Sequence, residues 1–165
     1  MLRIRKANLR SFCTAVVLVC AAAAFVTSLK GEENSVPVKK ADLAALADQV
    51  QHLDKVPVQE QAWGWLRWLV NDQLVPGATM TLGVVQINAG QKNPLHKHPN
   101  CDEIIYMISG TGEYRVGDQK VVLKAGDALR IPKNAIHDAK TIGDEPMKSV
   151  VVYDTGSRQF VPVTE

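Results

Sequence analysis

The sequence predicts an all-β domain, a sandwich or barrel, in roughly the last two-thirds of the chain. Short stretches rich in β-branched and aromatic residues alternate there with turn residues such as Pro76-Gly77 and Gly117-Asp118. Such spacing is typical of antiparallel all-β folds. No segment after Val70 shows the 3.6-residue period of an amphipathic helix. The predicted strands are 79–87, 103–108, 113–116, 120–123, 128–131, 148–153 and 160–163.

Residues 1–28 have the pattern of a secretory signal peptide. The first ten residues hold four cations and no acid: Arg3, Arg5, Lys6 and Arg10. An apolar run from Phe12 to Val26 follows, which is the order of a basic n-region and an h-region. This run is too short for a comfortable membrane span, which needs about 20 apolar residues. We therefore expect an exported protein, periplasmic or extracellular, with an uncleaved membrane anchor as the alternative.

Residues 29–56 are predicted to form a linker and one amphipathic helix. From Lys39 to about Lys55, four apolar residues recur at intervals of three and four, which places them on one helix face. They are Leu43, Leu46, Val50 and Leu53. Pro57 would end the helix, so the β domain is expected to occupy residues 57–165. The isolated His52 beside the apolar stripe is expected on the surface.

Three tryptophans in six residues, Trp63, Trp65 and Trp68, indicate a further strand that ends near Val70. Alternation would place Trp63 and Trp65 on one face and Trp68 on the other. Apolar side chains on both faces favour a strand buried in the barrel or in an interface between subunits. A carbohydrate-stacking platform is the alternative interpretation, since exposed aromatic rings bind sugars.

The charge balance argues against nucleic acid as a partner. The chain has 19 Lys and Arg against 17 Asp and Glu, a formal net charge of +2. Four of the cations and none of the acids lie in the leader, so the chain from Leu29 onward carries 15 minus 17, or −2. Binding to nucleic acid depends on clustered cations, which this balance does not indicate.

Three of the four histidines and one glutamate have the spacing of a mononuclear metal site. His96 and His98 are two residues apart, so both imidazoles lie on the same face of an extended strand. Glu103 and His137 add two further donors, and by alternation only one of Asp102 and Glu103 can face inward with the histidines. Imidazole and carboxylate suit iron(II), manganese, nickel and zinc. The sequence therefore predicts one divalent metal ion bound by His96, His98, Glu103 and His137.

The residues around these donors resemble the first motif of the cupin superfamily. Gly90, five residues, His96-Lys97-His98, four residues, Glu103, six residues and Gly110 follow that motif without a departure. The spacer to the second motif has 15 residues, from Thr111 to Ala125, and resembles the short spacer of small single-domain cupins.

The second cupin motif is matched from Gly126 through Pro132 to His137 with two departures. Asn134 stands where the motif usually has glycine, and Thr141 where it usually has asparagine. The first change is mild because asparagine tolerates a left-handed backbone. The second leaves the metal inference intact, since that asparagine is not a ligand in cupins.

The resemblance implies a double-stranded β-helix, that is, a jelly-roll barrel with the metal in its mouth, and a homodimer. Cupins include dioxygenases, isomerases, decarboxylases, lyases and non-catalytic binders. A metal with three histidines and one glutamate keeps open coordination positions. The first hypothesis is a dioxygenase-like enzyme for a small oxygen-rich organic substrate, in which Glu103 ligates the metal or accepts a proton. The alternative is an exported, non-catalytic module that binds a small molecule or sugar.

Two other residues near the donors have weaker interpretations. By alternation from Glu103, Met107 would line the pocket and Tyr106 would not. Cys101, the one cysteine after the leader, is either a thiol close to the metal or a cysteine that never meets it. The second interpretation is favoured.

Arg115 and Arg130 are candidates to hold a substrate carboxylate through a bidentate contact. The alternative for both is a surface salt bridge with a neighbour such as Glu113 or Asp127, and it is the favoured one.

Overall fold

The computed structural model describes residues 50–164, which fold into two antiparallel β-sheets. The strands are β1 (Gln59–Gln61), β2 (Gly64–Val70), β3 (Thr81–Ile87), β4 (His96–Lys97), β5 (Glu103–Ser109), β6 (Thr111–Val116), β7 (Gln119–Lys124), β8 (Ala128–Ile131), β9 (His137–Thr141), β10 (Met147–Tyr153) and β11 (Val161–Pro162). Within these residues the predicted all-β class is confirmed.

The two sheets exchange strands in the manner of a jelly roll. One has the order β1-β2-β3-β10-β5-β8 and the other the order β11-β4-β9-β6-β7, so the chain repeatedly passes from one sheet to the other. The apolar core joins residues of both sheets: Ile87, Cys101, Ile105, Met107, Tyr114, Leu123, Ile131, Ala139, Met147, Val151 and Tyr153. The first residues of β4, β5 and β9 are three of the four predicted metal ligands, His96, Glu103 and His137.

Period-two alternation orients β5. Glu103, Ile105 and Met107 are buried, while Ile104 and Tyr106 are exposed. Side chains two apart on a strand share a face, so the core packing of Ile105 and Met107 also directs Glu103 inward. The carboxylate is therefore placed in the interior by its apolar neighbours.

Two turn residues have the left-handed backbone that their residue types favour. Gly117 has a φ of 58° in the two-residue hairpin between β6 and β7. Asn134 has a φ of 69°, and it is the one non-glycine residue with positive φ in the described part of the chain. Asparagine thus takes the left-handed backbone just before His137, as expected.

The segment before β1 corrects one prediction. His52 is exposed, as expected, and its carbonyl accepts hydrogen bonds from the amides of Lys55 (2.9 Å) and Val56 (3.1 Å). These bonds make a single turn, so the prediction of a helix reaching about Lys55 is wrong at this end. The leader, the linker and the rest of the predicted helix lie outside the described residues. Between residues 50 and 164, no helix has the length and apolar character needed to cross a membrane.

The three tryptophans divide between the two sides of the first sheet. Trp63 and Trp68 pack, partly buried, against the core. Trp65 lies on the outer side, where the cationic groups of Arg67 (5.7 Å) and Lys148 (5.6 Å) approach its ring. Trp63 does not share a face with Trp65, contrary to the prediction, because it belongs to the turn before β2 and not to the alternating strand.

Candidate metal centre

The four predicted donors meet at one point in the interior. The ligand atoms of His96, His98, Glu103 and His137 all lie within 4.8 Å of one another, and all four residues are buried. Strand β4 lies beside β9, with His96 opposite His137, and Glu103 begins β5 in the other sheet. Donors from both sheets therefore converge on a possible metal site.

Each of the three imidazoles is oriented by a hydrogen bond between its Nδ1 and a backbone carbonyl. These bonds join His96 to Pro94 (2.8 Å), His98 to Gln159 (2.6 Å) and His137 to Ala135 (2.9 Å). A carbonyl oxygen only accepts, so Nδ1 must donate, and in the neutral ring Nε2 keeps its lone pair. Metal-ligating histidines are fixed in this way as a rule. Three Nε2 lone pairs are thus available to one ion.

Glu103 is held by one carboxylate oxygen and presents the other. The hydroxyl of Tyr153 donates to Oε1 at 2.8 Å. Oε2 lies 3.0 Å from Nε2 of His137 and 3.4 Å from Nε2 of His98. Among the described residues, none of these three buried atoms has a hydrogen-bond partner. Lone pairs that face one another so closely require a positive charge between them, and a divalent cation supplies it. The residues fit a metal ion.

The pKa shifts of the donors agree with a site that binds a metal ion. Burial, reinforced by His137, lowers the pKa of His96 to about 3, so this ring is neutral at physiological pH. Burial also lowers the pKa of His137, but the carboxylate of Glu103 outweighs it and the net shift is upward. Burial raises the pKa of Glu103, yet His137 and His98 hold it well below its usual range. Glu103 thus favours a proton on His137 in the metal-free protein, and a bound metal would displace such a proton.

A cavity of about 360 Å³ opens beside these donors. Its wall is largely apolar and includes Trp63, Leu66, Val85, Ile87, Ile105, Ala139, Val151 and Phe160. Small-molecule sites have volumes of roughly 300 to 1,000 Å³ and similar walls. The cavity can therefore enclose a small organic molecule next to His96, Glu103 and His137, which also line it.

The two arginines proposed from the sequence are engaged outside the cavity. Nη2 of Arg115 lies 2.6 Å from Oδ2 of Asp138, and Nη2 of Arg130 lies 2.5 Å from Oδ2 of Asp102. Neither arginine lines the cavity. Both arginines form salt bridges, as the alternative predicted, but with partners other than the two expected. Strand register places Arg115 opposite Asp138, which is buried and not on the surface.

Met107 and Cys101 belong to the core and not to the cavity wall. Met107 is fully buried, and the hydroxyl of Tyr114 donates to its sulfur at 3.3 Å. The prediction that Met107 lines the pocket is therefore wrong, although its inward direction is confirmed. Burial, with Asp154 nearby, raises the pKa of Cys101 to about 11, which keeps the thiol protonated and unreactive. Its sulfur is not part of the donor cluster.

A family model for the cupin domain matches residues 83–153, a stretch that contains all four donors. The chain belongs to the cupin superfamily. Its two matched motifs, its jelly-roll sheets and the position of its donors agree with that assignment.

Three relatives illustrate the range of similar cupins. An uncharacterized protein of Methanocaldococcus jannaschii is 31% identical over 83 residues, which are 50% of this chain and 66% of the relative. Germin-like protein subfamily 2 member 1 of Arabidopsis thaliana is 30% identical over 132 residues, which are 74% of this chain and 60% of the relative. The oxalate decarboxylase of Lactobacillus farciminis, solved as a formate complex, has a TM-score of 0.64 and 24% identity and covers 68% of this chain.

This cupin spans about two-thirds or less of these curated relatives and 35% of the solved oxalate decarboxylase chain. At that identity, the solved structure supports the fold alone. The relatives' names therefore establish neither the reaction nor the substrate of this chain.

Tyr153, Arg158 and Phe160 are among the cavity residues of this cupin that the sequence did not predict. The inward direction of Tyr153 could have been predicted, because alternation along β10 places it on the same face as Val151. Phe160, whose ring stacks on His96 with centroids 4.5 Å apart, and Arg158 lie between β10 and β11. Arg158 lies outside every predicted strand, and Phe160 is the first residue of the predicted strand 160–163, so alternation did not fix the direction of either side chain.

Proposed function

We propose that this cupin is a metal-dependent enzyme, dioxygenase-like in its chemistry, acting on a small oxygen-rich organic molecule. The observation that carries the proposal is the set of buried Nε2 and Oε2 atoms without hydrogen-bond partners among the described residues, beside a cavity. One divalent ion, iron(II), manganese, nickel or zinc, would be held by Nε2 of His96, His98 and His137 and by Oε2 of Glu103. When bound, such an ion supplies Lewis-acid polarisation of a substrate oxygen or, as iron(II), redox chemistry with dioxygen.

The protein's own residues would enclose the substrate and accept its proton. The apolar wall, with Trp63 and Phe160, displaces water from the space beside the donors. Because Tyr153 holds Oε1 of Glu103, Oε2 can either ligate the ion or, once released from it, take a proton while the carboxylate stays in the site. Glu103 is therefore the proposed catalytic residue as well as a ligand.

The cavity favours an enzyme over the alternative, a non-catalytic binding module. A sugar or metabolite binder is expected to have a shallow, polar, aromatic-lined mouth, whereas an enzyme encloses its substrate beside groups with perturbed pKa values. Here the wall is mostly apolar, and the pKa of His96 is lowered while that of His137 is raised. Both features support catalysis, whereas the aromatic residues of the wall, Trp63, Tyr114, Tyr153 and Phe160, are the feature that a binding module would share.

The test is elemental analysis by mass spectrometry on the full chain, purified without chelators. We compare wild type with a His96→Ala/His98→Ala double variant and with His52→Ala, which removes an exposed histidine that is not part of the donor cluster. Near one ion per chain is expected in wild type and in His52→Ala, and none in the double variant. A wild type that holds no metal and resists reconstitution would refute the proposal.

The identity of the metal then directs the activity screen. Iron calls for oxygen-consumption assays with small enediols and phenols, whereas zinc or manganese calls for isomerase and lyase assays. Turnover that disappears in the double variant but not in His52→Ala would establish catalysis. Ligand binding without turnover of any compound in the screen would favour the binding module.

We also propose that the protein is exported and dimeric. Export is supported by the basic and apolar leader, and cell fractionation would test it. A homodimer is supported by the exposed apolar side chains Ile104, Tyr106 and Ile108 on the outer face of β5. Sedimentation of wild type beside Tyr106→Lys would test it, and a wild-type monomer would refute it.

A further inference from the structure

Arg158 is a cationic residue in the wall of the cavity, in the segment between β10 and β11. Its guanidinium carbon lies 4.8 Å from the ring centroid of Trp68, 5.1 Å from that of Tyr153 and 5.6 Å from that of Phe160. Aromatic rings contact the faces of a guanidinium, whereas its N–H donors lie in its plane. The three ring contacts hold Arg158 in place without giving its N–H donors an oxygen or nitrogen acceptor within the rings.

Arg158 makes no hydrogen bond and no ion pair with any residue of the described range 50–164, in contrast to Arg115 and Arg130, which are bound to Asp138 and Asp102. It is partly buried, and a charge removed from water is normally paired. An anionic group brought by a ligand would supply the missing partner.

The other charges around the cavity do not compete for this role. Asp138 lines the cavity, but it already faces Arg115 at 2.6 Å and Lys92 at 3.1 Å. Glu103 faces the histidines, and a divalent ion bound there would exceed its single negative charge. With Arg158 added, the loaded cavity is positive, which favours an anion.

Two aromatic side chains connect Arg158 to the metal donors. Phe160 contacts the guanidinium and stacks on His96 with centroids 4.5 Å apart. Tyr153 also contacts the guanidinium, and its hydroxyl donates to Glu103. A ligand that reaches from Arg158 to the donors therefore needs a body about as long as one aromatic ring.

We propose that the cavity binds a small organic acid. Its carboxylate accepts hydrogen bonds from the guanidinium edge of Arg158, a body of about ring size lies against the apolar wall, and a second oxygen points to the metal donors. The second oxygen rests on the proposed function, whereas the contact between carboxylate and Arg158 does not.

The experiment compares two probes of equal size, 4-hydroxybenzoate and its uncharged amide, 4-hydroxybenzamide, by titration calorimetry on the full chain. We expect wild type to bind the acid at least about tenfold more tightly than the amide, since hydrogen bonds between charged groups have that strength. Arg158→Gln should remove this preference. Arg130→Gln removes the same charge outside the cavity and should leave the preference unchanged.

Arg158→Lys is a second variant, which keeps the proposal testable if Arg158→Gln does not fold. It keeps the charge but loses the planar fork, so the preference should fall without disappearing. A preference unchanged in Arg158→Gln, or absent from wild type, would overturn the proposal.

Metal content measured on the same samples separates the two proposals. An Arg158-dependent preference in protein that cannot hold metal would support the anion site and refute the metal enzyme. Metal-loaded wild type that binds neither probe at millimolar concentration would overturn the anion site and leave the metal site standing.

Discussion

The hydroxyl of Tyr153 gives a direct test of how the site holds its carboxylate. Tyr153→Phe deletes one oxygen, while the ring keeps its contacts with His98 (centroids 5.0 Å apart) and Trp68 (6.3 Å). The lost contact is a 2.8 Å hydrogen bond to Oε1 of Glu103 in the buried interior. Without it, Oε1 loses its donor and the carboxylate is free to rotate. Removing partners of this kind weakens metal binding by roughly 10- to 100-fold, or about 1.4 to 2.7 kcal/mol.

The assay is competition for metal against a fluorescent chelator of known affinity, on full chain stripped and reloaded with one ion. Tyr114→Phe is the matched control, because Tyr114 is also buried and lines the same cavity but donates to the sulfur of Met107. We expect a Kd raised roughly 10- to 100-fold in Tyr153→Phe and changed by less than about threefold in Tyr114→Phe. Wild-type affinity in Tyr153→Phe would refute the view that this hydroxyl positions Glu103.

Three further outcomes are expected. Metal binding should weaken as pH falls, because the ion displaces a proton from His137, whose pKa Glu103 raises above 6.5. Calorimetry at pH values below that pKa should show the Kd for the metal rising about tenfold per pH unit. A pH-independent Kd would contradict this. Asn134→Ala should lower the free energy of unfolding by about 1 to 2 kcal/mol in a urea titration, because φ is 69° there, whereas Asn134→Gly should not. Gly83→Ala places a Cβ 2.5 Å from the ring of Trp68 and should cost about 1 to 3 kcal/mol by the same titration; an unchanged free energy of unfolding would contradict this.

The donor cluster could be predicted from the sequence because strand alternation is local. His96 and His98 share a face whatever the rest of the chain does, and the fold class follows from turn spacing in the same way. The partner of Arg115 could not be predicted, because Asp138 is its neighbour only through the register of β6 against β9. The position of Arg158 could not be predicted for a related reason. Its segment is irregular, and three aromatic rings determine where it lies.

The carbonyl that orients His98 has a consequence for when the protein can take up metal. It belongs to Gln159, 61 positions along the chain from the imidazole. Val161, two residues after Gln159, pairs with Lys97, which lies between the two histidines. A nascent chain still on the ribosome lacks this carbonyl until Gln159 has been made and has emerged. The ordered donor set is therefore completed only once Gln159 has been synthesised, so an ion that binds there would be drawn from the compartment in which the chain finishes folding.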